Sequence, residues 1–209
     1  VEKVETIFGT SLHGDLYLLP SLGDFDGFAR YDSGHHSVLL GVDFPDADLD
    51  YLKALTAHEL SHVYRDQQPE VWAHLGKPIA KVSRAEYLDA ATAEEHLASE
   101  GLATLFSQLV YPEISPHIHH YYEREEWQWC EDHHEHIHSA LWESLRRDRR
   151  VWSFYSEGRA GPGSPSRTHY YWAAKQIEEQ LTSESVPLSL LEKLVKAHTW
   201  QATRFEKFK

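Results

Sequence analysis

The run Thr56-Ala57-His58-Glu59-Leu60-Ser61-His62-Val63-Tyr64 constrains this chain more than any other stretch, because it spells His-Glu-x-x-His inside a segment patterned as an amphipathic helix. A helix advances about 100° per residue, so His58 and His62 lie roughly 40° apart on one face and one turn apart in height. Both imidazoles can reach a single metal ion. Glu59 sits beside that face, where its carboxylate can take a proton from a metal-activated water without being a ligand itself. Leu49, Leu52, Leu55, Leu60, Val63 and Tyr64 supply an apolar surface, Asp46 or Asp48 is placed to cap the N-terminus, and no Gly or Pro interrupts residues 46–68.

Context must carry the motif, because histidine makes up 16 of the 209 residues and the pattern occurs twice. The second copy is His134-Glu135-His136-Ile137-His138. It follows Cys130-Glu131-Asp132-His133 and carries an extra imidazole, so it reads as a solvated helix face. Its downstream acid, Glu157, falls in the turn-forming run Ser156-Glu157-Gly158-Arg159-Ala160-Gly161-Pro162-Gly163. The first copy has uncharged residues before His58 and between Glu59 and His62, as a helix beneath a cleft requires. The wider cluster of His117, His119, His120, His133, His134, His136 and His138 is expected to be a polar face that binds metal only adventitiously.

A catalytic zinc site takes three protein ligands and leaves one position open. Arg65 and Gln68 stand where the long metzincin pattern needs Gly and His, which excludes that class. The remaining candidate is Glu100, beside a helical stripe of Leu97, Ala98, Leu102, Leu105 and Leu109. A buried carboxylate needs compensation, and a divalent cation provides it. Gly101 costs a helix about 1 kcal/mol relative to Ala, and close approach of the His58 helix would explain it. Glu94 and Glu95 are expected to be solvated. Two imidazoles and one carboxylate favour zinc, one ion per chain.

Together, His58-Glu59-x-x-His62 and Glu100-Gly101-Leu102-Ala103-Thr104 resemble the gluzincin metallopeptidases, which pair this motif with a Glu on a later helix. The likeness to the large zinc aminopeptidases is local: the chain is far shorter, has no Gly-Ala-Met-Glu-Asn motif and no Met, and Thr104 replaces the Asp that orients a ligand histidine in thermolysin-like enzymes. Over most of its length the chain is more similar to the small predicted zinc-dependent proteases of the YjaZ-like family. There the likeness extends to a late segment, Pro165-Ser166-Arg167-Thr168-His169-Tyr170-Tyr171-Trp172-Ala173, with His169 and Ala173 in place of glycines. The resemblance implies metal-dependent hydrolysis, with a peptide or protein as substrate. Attack on a peptide carbonyl builds an oxyanion that needs a donor. Tyr170 is the first choice for it, His169 and Tyr171 are candidate substrate contacts, and Arg167 is a candidate partner for a substrate carboxylate.

Short strands are expected over 15–20, 25–31 and 37–43, then helices over roughly 71–80, 85–110, 117–150, 168–182 and 188–206. Strands first and helices after predict an α+β fold, a small N-terminal sheet followed by a mostly helical zincin-like body, in one domain over 1–209. Ser37–Val42 is the candidate edge strand for an extended substrate, with a plain core strand as the alternative. Residues 158–166 are expected to form a mobile loop near the pocket. A net charge of −13 argues against a nucleic-acid partner. The single Cys130 fits a reducing, cytoplasmic setting, no apolar run is long enough to span a bilayer, and a start at Val1 leaves room for a removed leader or anchor. The expected activity is that of a zinc peptidase. A non-catalytic metal-stabilised peptide-binding domain and a histidine-rich metal-binding protein are the rivals.

Overall fold

The computed structural model describes residues 1–22, 25–32, 34–43, 48–77, 81–83, 85, 86, 89, 92–147 and 160–205. The fold is α+β, a three-stranded sheet near the N-terminus followed by a mostly helical body. A helix that the sequence patterning did not mark comes first: α1, Glu2–Phe8, closed by Gly9 in the left-handed conformation at φ 68°. Its Phe8 stacks between Tyr64 and Phe106, which docks the short element on the helical core.

Strands β1 (Asp15–Leu19), β2 (Gly27–Asp32) and β3 (His35–Gly41) are ordered β1-β3-β2, with β1 parallel and β2 antiparallel to β3. Val38 and Leu40 alternate inward beside Tyr31, giving the sheet a buried face. This order corrects the edge-strand expectation: β3 is paired on both sides, so Ser37–Val42 cannot accept a further strand. The edge that lies against the motif helix is β2, whose Gly27 is so close to Leu55 that an added Cβ would come within 3.0 Å of it.

Helix α2 (Leu49–Asp66) carries the motif, and Asp48 caps it by accepting from the Tyr51 amide at 2.8 Å. After a 3₁₀ turn at Ala73–Leu75, within the stretch where a helix over 71–80 was expected, α3 runs from Ala93 to Val110 behind the N-cap Thr92. Leu97, Ala98, Leu102, Leu105 and Phe106 are all buried, so α3 is the central helix of the body. The close neighbour of Gly101 is α7 (Thr168–Ser183), not α2. A Cβ there would meet the Ala173 carbonyl carbon at 2.7 Å and the Ala173 Cβ at 2.8 Å.

The single helix expected over 117–150 is three shorter ones: α4 (Pro116–His119), α5 (Arg124–Asp132) and α6 (His134–Arg147). The chain breaks after α4 because Tyr121 turns left-handed at φ 59° and Glu123 opens α5 with a capping box. The last expected helix is α8 (Leu190–Ala197), with a capping box at Ser189, followed by a 3₁₀ turn at Ala202–Arg204. Glu157 and residues 158 and 159 of the expected loop lie outside the described residues. Among the described residues no helix is long and apolar enough to cross a membrane.

Candidate metal centre

The four-residue spacing on α2 does what helical geometry requires. The Nε2 atoms of His58 and His62 are 3.1 Å apart, and from α3 the Glu100 Oε2 lies 3.1 Å from the first and 3.5 Å from the second. A tetrahedral zinc with arms of about 2.05 Å holds its ligand atoms about 3.3 Å from one another. The three atoms therefore fit one such ion. Among the described residues these are the ones that gather as a group of three or more metal-ligating side chains. His58 is 2% exposed, and Glu100 is 8% exposed.

Electrostatics say the same in another way. Burial alone would push Glu100 up, but the facing imidazoles of His62, His58 and His96 hold it well below the usual carboxylate range. His62 is raised to about 9 against its burial by Glu100 and Glu59, while burial lowers His58. Without metal, the cluster gathers one carboxylate and one imidazolium at the point where a dication would replace the proton.

Supporting contacts fix the ligands. Ser99, one residue before Glu100, places its hydroxyl 2.8 Å from His62 Nδ1 and so leaves Nε2 to face the centre. The Nδ1 of His58 is buried with no hydrogen-bond partner, and Thr104, at the position taken by an orienting Asp in thermolysin-like sequences, has its own buried hydroxyl unpartnered. His96 Nδ1 lies 3.7 Å from Glu100 Oε1 and its Nε2 lies 3.3 Å from His169 Nε2, a pair of buried imidazoles behind the carboxylate. Behind α2, Arg65 is locked to Glu95 by two contacts of 2.7 and 2.8 Å. Glu95, expected to be solvated, is thus a structural anchor of the two ligand-bearing helices.

Glu59 is 5% exposed on the side of α2 that meets the sheet, near the Ala29 amide of β2. Burial pushes that carboxyl up to about 8, with Glu100 and Asp26 adding to the rise. A dication at the neighbouring triangle opposes that shift and favours the ionised form a general base needs.

The late segment divides between site and core. Tyr170 stacks on the His58 ring at 5.9 Å. Arg167, left-handed at φ 58° where it opens α7, pairs through Nη1 with Asp26 at 2.7 Å and stands over the Tyr121 ring at 5.7 Å. Tyr171 corrects the expectation of a substrate contact: one residue on is about 100° round the helix, and its ring packs on Trp127, His120 and His134 in the core. His169, expected to contact substrate, is 3% exposed and packs its Nε2 3.3 Å from His96 Nε2.

Among the described residues the second His-Glu-x-x-His assembles no comparable group. His138 accepts from the Trp172 indole at 3.0 Å, and His134 lies edge-on to Tyr171 at 5.8 Å. The expectation of a solvated histidine face holds for His133 and His136 but not for His119 and His120, each 1% exposed. These two anchor α4 to α3 through Ser107 at 3.0 Å and Gln108 at 2.8 Å.

Three residues at the site were not singled out from the sequence: Asp26, Tyr51 and Tyr121. Asp26 holds Arg167 with Tyr51 beside it, and the Tyr121 ring lies edge-on to both His58 at 5.4 Å and Tyr51 at 5.7 Å. Tyr51, seven residues before His58 on α2, was readable from helical spacing, whereas the approach of Asp26 and Tyr121 to His58 depends on the fold. Comparison of the chain with protein-family profiles, with curated proteins and with solved structures finds no match.

Proposed function

We propose that the protein is a zinc-dependent hydrolase of the gluzincin type, a peptidase that holds one zinc ion through His58, His62 and Glu100. One observation carries the reading: three ligand atoms from two separate helices converge within 4.8 Å of one another, with the buried carboxylate of Glu59 next in sequence to His58. A structural site does not need that second carboxylate. Zinc, when bound, supplies a Lewis acid that polarises water and the scissile carbonyl.

The chain's own groups do the rest. Glu59 accepts the proton of the attacking water and returns it to the leaving amine. Ser99 keeps His62 in the tautomer that presents Nε2. The Asp26–Arg167 pair ties strand β2 to the start of α7 beside Tyr121 and His58. An extended peptide is expected to run along the outer edge of β2, the strand that faces Glu59.

The test combines metal analysis with a peptide-library cleavage assay on the parent and Glu59→Gln. One tight zinc in both proteins, with turnover lost only in the variant, supports catalysis. Equal zinc content with no turnover in either would reduce the site to metal-stabilised binding. Several weakly bound ions per chain would point to a histidine-rich metal buffer.

A further inference from the structure

Tyr121 is the site residue that the fold treats most unusually. It is a bulky residue in the left-handed region at φ 59°, a conformation that only surrounding structure can impose. Its ring stands edge-on to the ligand His58 at 5.4 Å, with the Arg167 guanidinium 5.7 Å above it. Its hydroxyl is buried and has no hydrogen-bond partner. Burial holds that hydroxyl well above the ordinary tyrosine range, and the Glu59 and Asp26 carboxylates add to the rise.

Tyr170 stacks its ring on the His58 imidazole, and Tyr51 lies beside Asp26. Tyr121 combines ring contact with the metal ligand and a buried donor that has no partner. A buried hydroxyl without a partner is costly to keep, and strained backbone that maintains one points to a ligand that completes it. The segment is rigidly fastened. His119 and His120, immediately before Tyr121, are tied to α3 at Ser107 and Gln108, and Arg167 above the ring is held by Asp26.

We infer that Tyr121 is a catalytic residue, the donor that hydrogen-bonds the carbonyl oxygen of the scissile peptide as it becomes an oxyanion, with Arg167 positioning its ring. The assignment rests on the hydrolase reading above. Water oxygen bonds to the carbonyl carbon, and Glu59 takes one water proton. The carbonyl π pair moves onto oxygen, where the Tyr121 O–H contributes a hydrogen bond and keeps its own proton. When the C–N bond breaks, the proton on Glu59 goes to the departing amine.

The experiment compares zinc-loaded parent, Tyr121→Phe and Tyr170→Phe in full-length chains. Peptide turnover is measured alongside the affinity for a phosphinic peptide, whose tetrahedral oxyanion imitates the reacting group, and for a simple thiol that needs the metal alone. Tyr121→Phe is expected to keep one zinc per chain and the parent's thiol affinity, and to melt no lower than the parent, because only an unpaired buried hydroxyl is lost. Its kcat is expected to fall about 10²–10³-fold with KM within about threefold, and phosphinic-peptide binding to weaken about 10–100-fold. Unchanged turnover and phosphinic affinity would overturn the assignment, as would a larger loss in Tyr170→Phe. A parent that binds zinc but shows neither turnover nor phosphinic-peptide affinity above the thiol's overturns the hydrolase reading itself, a result distinct from loss of the Tyr121 effect alone.

Discussion

Replacing Glu95 with Ala tests whether the register of the two ligand-bearing helices depends on a buried ion pair. Arg65 lies three residues after His62 and is 1% exposed. Its Nε and Nη2 donate to the two Glu95 oxygens at 2.7 and 2.8 Å, and Nη1 donates to the His198 carbonyl at 3.0 Å. Burial pushes the Glu95 carboxyl upward and the Arg65 fork opposes it, so the pair holds by geometry, with each partner indispensable to the other. Glu95→Ala leaves a guanidinium in the core with one protein acceptor.

Breaking a buried pair from one side costs about 3–5 kcal/mol. The Glu95 side chain is 13% exposed, so some water can reach the vacated position, and the lower end of that range applies. At roughly 2–4 °C per kcal/mol for a chain of this size, metal-free Glu95→Ala is expected to melt roughly 6–12 °C below the parent. Calorimetry or urea unfolding gives the measurement. The double variant Arg65→Met with Glu95→Leu exchanges the pair for apolar packing and is expected to recover most of the loss. A single-variant loss under about 1 kcal/mol, the range of exposed pairs, would refute the reasoning. So would a double variant no better than Glu95→Ala.

Two further outcomes follow from the site's surroundings. Ser99→Ala removes the 2.8 Å partner of His62 Nδ1 while touching no ligand; zinc affinity by competition with a chromogenic chelator is expected to fall about 10–100-fold with a melting temperature close to the parent's, and an unchanged affinity would show that the hydroxyl does not orient the ring. His198 is fully buried between the Ser61 hydroxyl and the Leu194 carbonyl, and burial lowers its pKa to about 3, with the nearby Arg65 charge lowering it further. A folded value below the unfolded value of about 6.5 means the unfolded chain binds this proton first, so the stabilisation is complete above about pH 6.5 and is lost as pH falls towards 3, at about 1.4 kcal/mol per unit. Urea unfolding of the parent between pH 6 and 4 should therefore be steeper than that of His198→Gln by about that slope, and parallel profiles would sink the assignment.

What the sequence made legible was whatever a single helix settles by itself. The convergence of His58 and His62 follows from a four-residue interval, and Asp48 is a local cap, so both are readable before any tertiary contact forms. Glu100 was readable for a partly mistaken reason: Gly101 does mark a close helix approach, but the neighbour is Ala173 of α7, a choice made by packing order and not by spacing. Strand order was likewise beyond periodicity, because alternation places residues on faces without saying which strand lies in the middle. Glu95 looked like any charged residue near a helix start until Arg65, thirty positions earlier, was brought against it.

The same physics explains why the cleft lining was the least legible part. Asp26 precedes an edge strand, Arg167 opens a helix in a left-handed turn, and Tyr121 sits at a break between helices in a conformation that tyrosine does not favour. None of these backbone states is encoded by local propensity; each persists because the surrounding elements impose it. Metal ligation needs side chains at a regular interval, which secondary structure supplies cheaply, whereas enclosing a substrate carbonyl needs donors from several directions, which only chain segments leaving regular structure can supply. On the proposed hydrolase reading, the division between a readable ligand triangle and unreadable surroundings follows from how such a site must be built, and it would locate specificity in the segments around residues 26, 121 and 167.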